Sequence, residues 1–371
     1  MRYEYSHLIA ENVAPKGATK IVVTDGSKAV CSIPLGRLAP PTGEPLYSFG
    51  LVSDCHTYLT LTGAQGNWKG NTKLDNALTF FEQMKCKFVI GCGDFTQIGF
   101  NRKNEGDSAI TLDDGRVMSV GAVWYDESNM VEYNRIIAKH TIPVFELFGN
   151  HESMYKPITN DLARAKELTG IPATAYTVSS APDSDEIVET TVRPNRHADV
   201  GEDLFILCGQ STYDEVMSNE DFTWLGNILQ ANEARRCFVV IHSYMEGDSG
   251  DADNRRENSI FDTWSKTAEF VQLLGRYPNV ILFHGHSHMK YEHQAVDSIA
   301  NYATVKGYKS VHVSSLGLPR NIDPSQPTNK DTPNDDDASQ GSVVDTYPDV
   351  THFRGRDFVN HVWVGIGTYR F

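Results

Sequence analysis

Six short apolar runs recur between Leu46 and Gly285, and they constrain the fold more than any other feature of this chain. The runs are LYSFGLVS, KFVIGCG, IPVFELFG, DLFILCG, CFVVIHS and NVILFHG. Each is rich in β-branched or aromatic residues, which is typical of strands buried inside a protein. Stretches with apolar residues at helical spacing separate several of the runs. This alternation of strands and helices predicts an α/β fold in which helices cover the sheets.

The helical pattern is carried by four stretches, at 74–87, 128–140, 219–233 and 262–276. In the first of them, Leu74, Leu78 and Phe81 recur at the spacing of one helix face. The third opens with Glu220 and Asp221, which are acidic residues suited to a helix N-terminus. The final residues, 358–371, are predicted to be closing strands.

The chain is predicted to divide into a small N-terminal β-segment with a linker, residues 1–45, and a main domain, residues 46–371. Within the first part, 19–33 is typical of two short strands joined around Asp25-Gly26, and a Pro/Gly-rich stretch follows. Residues 321–346 of the main domain are polar and acidic, which predicts an exposed loop.

The charge balance restricts the partners that this protein can bind. The net charge of −15 argues against a nucleic-acid polymer as partner, but bound metal ions would still allow a phosphate substrate. No apolar run reaches the length of about 18 residues that a membrane span needs. The N-terminus lacks the apolar stretch of a signal peptide. We therefore expect a cytoplasmic protein, with attachment to a virion as the alternative.

The six cysteines are predicted to be buried free thiols. They are Cys31, Cys55, Cys86, Cys92, Cys208 and Cys237. None of them forms a C-x-x-C pair, and several stand in strand-like apolar runs. A disulfide framework is not expected in a chain of this length.

Five of the apolar runs end in residues able to bind metal. The endings are Ser53-Asp54-Cys55-His56, Gly93-Asp94, Gly149-Asn150-His151-Glu152, His242 and His284-Gly285-His286-Ser287-His288. Each ending is commonplace alone, but five in succession, each after a buried strand, predict one shared site at the carboxyl ends of the strands. His286 and His288 are two residues apart, so in an extended segment both rings would point to the same side.

The types of these residues indicate the metal and the chemistry. Imidazole, carboxylate and amide groups suit Mn, Fe, Zn or Co better than Ca or Mg. One carboxylate can bridge two metal ions, and ions about 3.5–4 Å apart can clamp the attacking and departing oxygens at phosphorus. Such ions also lower the pKa of a bridging water and so provide a hydroxide nucleophile near neutral pH. The predicted cofactors are therefore two divalent transition-metal ions, and the predicted substrate is a phosphoester.

The five blocks, in this order, resemble the signature of the calcineurin-like metallophosphoesterase superfamily. The resemblance runs from Leu46 to Gly317 and implies a two-sheet β-sandwich flanked by helices, in four layers. It implies one metal held by Asp54, His56 and His288, a second held by Asn150, His242 and His286, and Asp94 as the bridge. It also implies that His151 donates a proton to the leaving oxygen or stabilises the transition state. Glu152 is then expected to orient the His151 ring through a hydrogen bond.

The block after the second run indicates the subclass. It reads Gly93-Asp94-Phe95-Thr96-Gln97-Ile98-Gly99 and lacks the Asp-Arg-Gly sequence of protein Ser/Thr phosphatases. Purple acid phosphatases have a metal-binding Tyr where this chain has Gln97. The block is similar to that of class III cyclic-nucleotide phosphodiesterases and glycerophosphodiesterases, which favours a phosphodiesterase over a phosphomonoesterase. The acidic charge and the lack of a basic stripe disfavour a nuclease.

Two further hypotheses concern the substrate and a partner. Arg102, Arg255 and Arg256 could grip a phosphate, and Trp68, Tyr125 and Tyr155 could stack on a base, although ordinary surface roles explain them more simply. Residues 1–45 could dock the enzyme onto a larger assembly, such as a phage tail or a cell-surface structure. The first hypothesis concerns the mouth of the site, and the second concerns a separate surface.

Overall fold

The computed structural model describes residues 20–25, 28–34, 43–57, 70–96, 109–111, 117–119, 132–153, 176–178, 185–187, 195–210, 216–244, 264–293, 307–321 and 335–371. The strands in this part of the chain are β1 (Lys20–Asp25), β2 (Lys28–Pro34), β3 (Tyr47–Val52), β4 (Val89–Gly91), β5 (Ala109–Thr111), β6 (Val117–Ser119), β7 (Val144–Phe145), β8 (Tyr176–Val178), β9 (Asp185–Ile187), β10 (Arg196–Val200), β11 (Asp203–Leu207), β12 (Cys237–Val240), β13 (Val280–His284), β14 (Lys309–His312), β15 (Gln340–Thr346), β16 (Val350–Asp357) and β17 (Val362–Arg370). The helices are Gly70–Gln83, Asn150–Ser153, Asn219–Ala231 and Thr267–Gly275, with a helical stretch at 132–137 and a 3₁₀ turn at Tyr291–His293.

Two mixed sheets form the body of the described structure. One has six strands in the order β17-β16-β15-β3-β4-β7, of which β3, β4 and β7 run parallel. The other has five strands in the order β10-β11-β12-β13-β14, and all of its neighbours are parallel except β10 and β11. The pairs β1-β2, β5-β6 and β8-β9 are two-stranded. The two-sheet α/β architecture that the sequence predicts is confirmed.

Aromatic side chains fill the space between the two sheets. Phe49 on β3 meets Phe205 on β11 edge-on, with ring centroids 5.2 Å apart, and Phe205 stacks on Phe238 of β12 at 4.6 Å. Phe283 on β13 stacks on Phe238 in turn, at 5.4 Å. Because alternate residues of a strand face opposite sides, each strand gives every second side chain to this core and the others to a helix layer.

Helices cover the outer faces of both sheets and complete four layers. The helix Gly70–Gln83 buries Leu74, Leu78 and Phe81 against the six-stranded sheet. A Cβ at Gly50 would lie 2.8 Å from the Phe81 ring, so glycine at this strand position lets the helix pack closely. On the other sheet, the buried face of the helices Asn219–Ala231 and Thr267–Gly275 consists of Leu225, Leu229, Phe270, Leu273 and Leu274.

The segment 321–346 differs from the predicted exposed loop. Its last residues, Gln340–Thr346, form β15, a fully buried strand between β16 and β3. Its polar side chains obscured the strand in the sequence, yet they have partners: Asp345 accepts hydrogen bonds from Ser48 Oγ at 2.6 Å and from Arg354 Nε at 2.8 Å. Polar groups can be buried when they are paired in this way. Residues 322–334 lie outside the described part of the chain.

Three further expectations concern the N-terminus, the membrane and the cysteines. Strands β1 and β2 pair antiparallel, from Lys20 opposite Pro34 to Asp25 opposite Lys28. The division of the chain at residue 45 stays a prediction. None of the described helices has the length and apolarity needed to cross a membrane. Five cysteines, Cys55, Cys86, Cys92, Cys208 and Cys237, are free and buried, as expected.

Candidate metal centre

The polar endings of β3, β4, β12 and β13 meet at one end of the sandwich. The first group of converging side chains consists of Asp54, His56, Asp94 and His288, whose ligand atoms all lie within 4.8 Å of one another. His56 Nε2 and His288 Nε2 are 3.0 Å apart, and Asp54 Oδ1 lies 3.0 Å from His288 Nε2. All four residues are buried. The structure thus brings together residues separated by more than 200 positions in the sequence.

A second group shares Asp94 with the first. It consists of Asp94, His242 and His286, again with ligand atoms within 4.8 Å of one another. Asp94 Oδ2 and His286 Nδ1 both lie 3.1 Å from His242 Nε2, and Asn150 Oδ1 lies 2.9 Å from the same nitrogen. Asp94 therefore stands at the junction of the two groups, where a bridging ligand would be needed.

The donor set fits two cations. His242 Nδ1 donates to Cys92 O at 2.8 Å and His288 Nδ1 donates to Leu318 O at 3.1 Å, so Nε2 is the atom that each ring can offer to a cation. The buried Oδ1 of Asp54 makes no hydrogen bond in the structure. Lone pairs of nitrogen and carboxylate oxygen that face one another at about 3 Å repel, unless a cation lies between them.

The backbone of the site adopts an unusual conformation. The residues concerned are Asp54 (φ 52°), His56 (φ 48°), Asp94 (φ 51°), His286 (φ 70°) and His288 (φ 62°). Among the described non-glycine residues, only Lys85 and His361 share such positive values of φ. Residues with side chains adopt the left-handed region at a cost of about 1–3 kcal/mol each, and such strain concentrates at functional sites.

This conformation corrects the geometry expected for His286 and His288. The spacing of two residues predicted both rings on the same side of an extended segment. Because both residues are left-handed, the segment is not extended, and the two imidazoles separate: His288 belongs to the first group and His286 to the second. Each group therefore takes one ring from this loop.

Two glycines of the motifs make room for these side chains. A Cβ at Gly149 would lie 2.2 Å from Asp94 Oδ1, and a Cβ at Gly285 would lie 1.8 Å from Ser53 Oγ. Such distances are far inside van der Waals contact. The Gly-Asn-His-Glu and Gly-His-Ser-His blocks therefore need glycine because the neighbouring loop passes against its Cα.

The pKa values of the candidate ligands are shifted by burial and by the charges of neighbouring side chains. Burial, together with the imidazoles of His151 and His288, holds the pKa of His56 well below its usual range, so this ring is neutral and able to bind metal. Burial also opposes ionisation of Asp94, yet His151 and His242 hold its pKa well below the usual range. Against its own burial, His242 has a pKa raised to about 9 by Asp94. The carboxylate thus attracts positive charge at this position.

His151 lies beside the two groups and, like His286, is only partly buried. Its side chain is 17% exposed, against 1% for His56 and 0% for His242. Its Nε2 is 3.7 Å from Asp94 Oδ2, and its ring meets the His56 ring edge-on with centroids 4.6 Å apart. The ring is hydrogen-bonded to the backbone of Thr96.

That Glu152 orients the His151 ring stays a prediction, and the carboxylate has a further role in the backbone of the site. The Glu152 carboxylate accepts hydrogen bonds from the backbone N–H groups of Gly149 at 2.8 Å, Thr96 at 3.0 Å and Asp94 at 3.1 Å. It therefore fastens the β4 loop to the loop that carries Asn150. Burial and the charge of Asp94 raise the pKa of Glu152 to about 8.

Backbone groups with important roles at the site carry no signal in the sequence. The segment 315–318 is an example: Gly317 N donates to Asp54 O at 3.0 Å, Ser315 Oγ donates to the same oxygen at 2.9 Å, and Leu318 O accepts from His288. The residues suggested for substrate contact, Arg102, Arg255, Arg256, Trp68, Tyr125 and Tyr155, lie outside the described part of the chain, and so does Gln97.

Comparison with known proteins adds the following findings. The model of the calcineurin-like phosphoesterase family matches residues 47–290. A solved dimetal phosphatase from Danio rerio is 13% identical, with a TM-score of 0.51, and the match covers 88% of this chain and 100% of that chain. A phosphoesterase from E. coli is 10% identical, with a TM-score of 0.33, over 86% of this chain and 98% of that chain. At these identities the likeness concerns the fold alone. No curated protein matches this chain.

Proposed function

Since the chain belongs to the calcineurin-like phosphoesterase family, we propose that it hydrolyses phosphodiesters with the help of two divalent transition-metal ions. The family membership and the paired Asp/His groups support a metal-dependent phosphoesterase. The single observation that carries the proposal is the position of Asp94, which belongs to both groups of converging ligand atoms. A shared carboxylate is what a dinuclear centre requires.

The residues take the following roles in this proposal. Asp54, His56 and His288 hold one ion, Asn150, His242 and His286 hold the other, and Asp94 contacts both. When bound, the ions supply the positive charge that offsets the phosphoryl oxygens and that activates water for attack. Because Mn, Fe, Zn and Co share a preference for this mixture of nitrogen and oxygen ligands, any of them suits the site.

His151 is proposed to protonate the leaving oxygen. Its side chain is 17% exposed and lies 3.7 Å from Asp94 Oδ2, and its hydrogen bond to the backbone of Thr96 holds it in place. A group that donates a proton must reach the reacting atoms without being consumed as a ligand. Neither of the two groups of converging ligand atoms includes His151, so the ring is available for this role.

The preference for a diester rests on the motif at the end of β4. Its Gly-Asp-x-x-x-x-Gly form, from Gly93 to Gly99, lacks the Asp-Arg-Gly sequence of protein phosphatases and is similar to that of small-molecule phosphodiesterases. The net charge of −15 disfavours a long polyanion as substrate. Small diesters such as cyclic nucleotides and glycerophosphodiesters are therefore the first substrates to try.

The test is hydrolysis of bis-p-nitrophenyl phosphate against p-nitrophenyl phosphate, after removal of metal by chelation and restoration with Mn²⁺. Faster cleavage of the diester supports the proposal. Faster cleavage of the monoester would make the protein a phosphomonoesterase with the same metal centre. Activity that survives chelation would contradict the metal-dependent mechanism itself.

We also propose that residues 1–45 dock the protein onto a larger assembly, such as a phage tail or a cell-surface structure. The family match begins only at residue 47, and β1 and β2 pair with each other rather than joining either large sheet. Deleting 1–45 should leave soluble activity intact and abolish co-sedimentation with the assembly. Loss of folding on deletion would show instead that the hairpin belongs to the core of the enzyme.

A further inference from the structure

Ser287 lies between two candidate metal ligands, and its side chain points away from both. We propose that the buried His312, acting through Ser287, is a positioning residue that sets the imidazoles of His286 and His288. This inference rests on the proposed metal centre. It assigns a role to a histidine that belongs to neither group of converging ligand atoms.

The contact between the two residues is short and completely buried. Ser287 Oγ and His312 Nε2 are 2.7 Å apart, and both residues are 0% exposed. Ser287 Oγ also accepts a hydrogen bond from Met289 N at 3.4 Å, so its own proton is available to the ring nitrogen. A buried hydroxyl with both partners satisfied has one favoured orientation.

His312 is itself held rigidly. It is the last residue of β14, where it lies in register with His284, the last residue of β13. The rings of His284 and His312 are in edge-on contact, with centroids 5.4 Å apart. Because β13 leads directly into Gly285 and His286, the hydrogen bond from Ser287 ties this loop to the neighbouring strand of the same sheet.

The loop needs such a tie because its backbone is strained. His286 and His288, on either side of Ser287, have φ values of 70° and 62°. His286 N donates to Asp54 Oδ2 at 2.9 Å and His288 Nδ1 donates to Leu318 O at 3.1 Å, and the hydrogen bond from Ser287 to His312 adds a contact between these two, which helps to hold the strained segment in place. Since one ring belongs to each group, relaxation of this segment would displace a ligand of both metal ions at once.

The experiment measures metal affinity directly, by titrating metal-free protein with Mn²⁺ and following free Mn²⁺ by electron paramagnetic resonance. The variants are His312→Phe and Ser287→Ala, and both should bind Mn²⁺ about 10- to 100-fold more weakly than the wild type. Both sites should weaken together. His312→Gln should recover most of the affinity, since its side-chain amide reaches the position of the ring Nε2.

The matched control is His352→Phe. His352 is also buried on a strand, and its Nδ1 lies 2.9 Å from the hydroxyl of Thr368, but it belongs to the sheet edge formed by β16 and β17. Its replacement should lower the melting temperature without changing Mn²⁺ affinity. A merely structural role for His312 predicts the same result for His312→Phe as for this control.

The outcomes separate the two proposals. Tight Mn²⁺ binding by the wild type and equally tight binding by Ser287→Ala would overturn the positioning role alone. Failure of the wild type to bind Mn²⁺ would overturn the metal centre and this inference with it. If His312→Phe does not fold, Ser287→Ala decides the question, because it removes only one hydroxyl oxygen.

Discussion

The core between the two sheets and the candidate metal centre differ in the polarity of their side chains and in their backbone conformation. Between the sheets, apolar rings such as Phe49, Phe205 and Phe238 pack at ordinary aromatic distances on regular strands. At the ligand end, Asp54 and Asp94 are buried carboxylates in left-handed backbone, and lone pairs face one another at about 3 Å. The core thus combines apolar side chains with regular backbone, whereas the candidate metal centre combines buried charge with left-handed backbone.

This contrast indicates that the core stabilises the fold and that the candidate metal centre reduces its stability. Burial of large aromatic side chains provides free energy of folding in the core. Buried charge and strained backbone use part of it at the site, because an arrangement that binds metal must hold its ligands in position before the metal arrives. Substitutions in the two regions should therefore separate activity from stability.

The largest effect on activity is expected from Asp94→Asn. The substitution removes the charge common to both groups but can keep the hydrogen bond that Asp94 Oδ1 accepts from His151 N at 2.9 Å. Turnover of bis-p-nitrophenyl phosphate should fall by at least about 1000-fold, since the ions lose their shared ligand. Retention of full activity would show that Asp94 is no ligand.

The largest effect on stability is expected from Phe238→Ala, in the centre of the inter-sheet core. Phe238 is 0% exposed and stacks on both Phe205 and Phe283. Its truncation should lower the free energy of unfolding by about 3–5 kcal/mol, measured by guanidinium titration. The molecules that remain folded should keep their turnover number. As a control, the partly buried Phe222 should cost less when truncated, and equal costs would contradict this account of the core.

A smaller effect on turnover is expected from His151→Ala. If His151 protonates the leaving oxygen, kcat should fall about 100-fold or more while the metal content stays at the wild-type level. Metal content is measured by inductively coupled plasma mass spectrometry. His140→Ala, outside the site, is the control and should change neither quantity. Loss of metal from the His151 variant would mean that this residue is a ligand and not a proton donor.

The smallest effect concerns two carboxylates with similar partners and opposite behaviour. Glu82, like Glu152, accepts backbone hydrogen bonds, from Thr141 N at 2.6 Å and Ile142 N at 3.3 Å. Because Glu82 is 31% exposed, these bonds dominate and lower its pKa to about 2, whereas burial and Asp94 raise the pKa of Glu152 to about 8. The same type of contact thus has opposite consequences at the surface and in the site.

Glu82→Gln should therefore destabilise the fold by about 1 kcal/mol at neutral pH. The folded-state pKa is lowered, so the contribution of Glu82 is present above the unfolded pKa of about 4.3 and is lost as the pH falls toward 2. Thermal melts between pH 7 and pH 2 should show the wild type and the variant converging in this window. A difference that persists at pH 2 would rule out an ionic origin. Glu202→Gln, in the exposed turn between β10 and β11, serves as the control.

Much of the architecture could be read from local patterns. The apolar runs correspond to β3, β4, β7, β11, β12 and β13 in the structure, and the four predicted helices are present with shifted ends. Strands β10, β14, β15 and β16 of the two large sheets were not predicted. In β15, Ser342, Asp345 and Thr346 are buried because β16 and β3 pair along both edges of the strand and both of its faces are covered, which no local pattern records. Hydrophobic periodicity predicts a buried strand only when the polar residues of that strand face the solvent.

For the site, the sequence by itself determined the identity and the order of the candidate ligands, because metal preference follows from the chemistry of each side chain. The residue types alone did not decide the grouping, which the family resemblance implied; the tertiary structure places Asp94 in both groups of ligand atoms and His286 and His288 in different ones. It also showed that Glu152 fastens two loops, that Leu318 O directs His288, and that Ser287 meets His312. The first two of these contacts involve backbone N–H and carbonyl groups, which every residue has, and the third joins side chains 25 positions apart, so residue types alone predict none of them. These contacts form when the two sheets pack around a common core, because this packing brings the ends of their strands together.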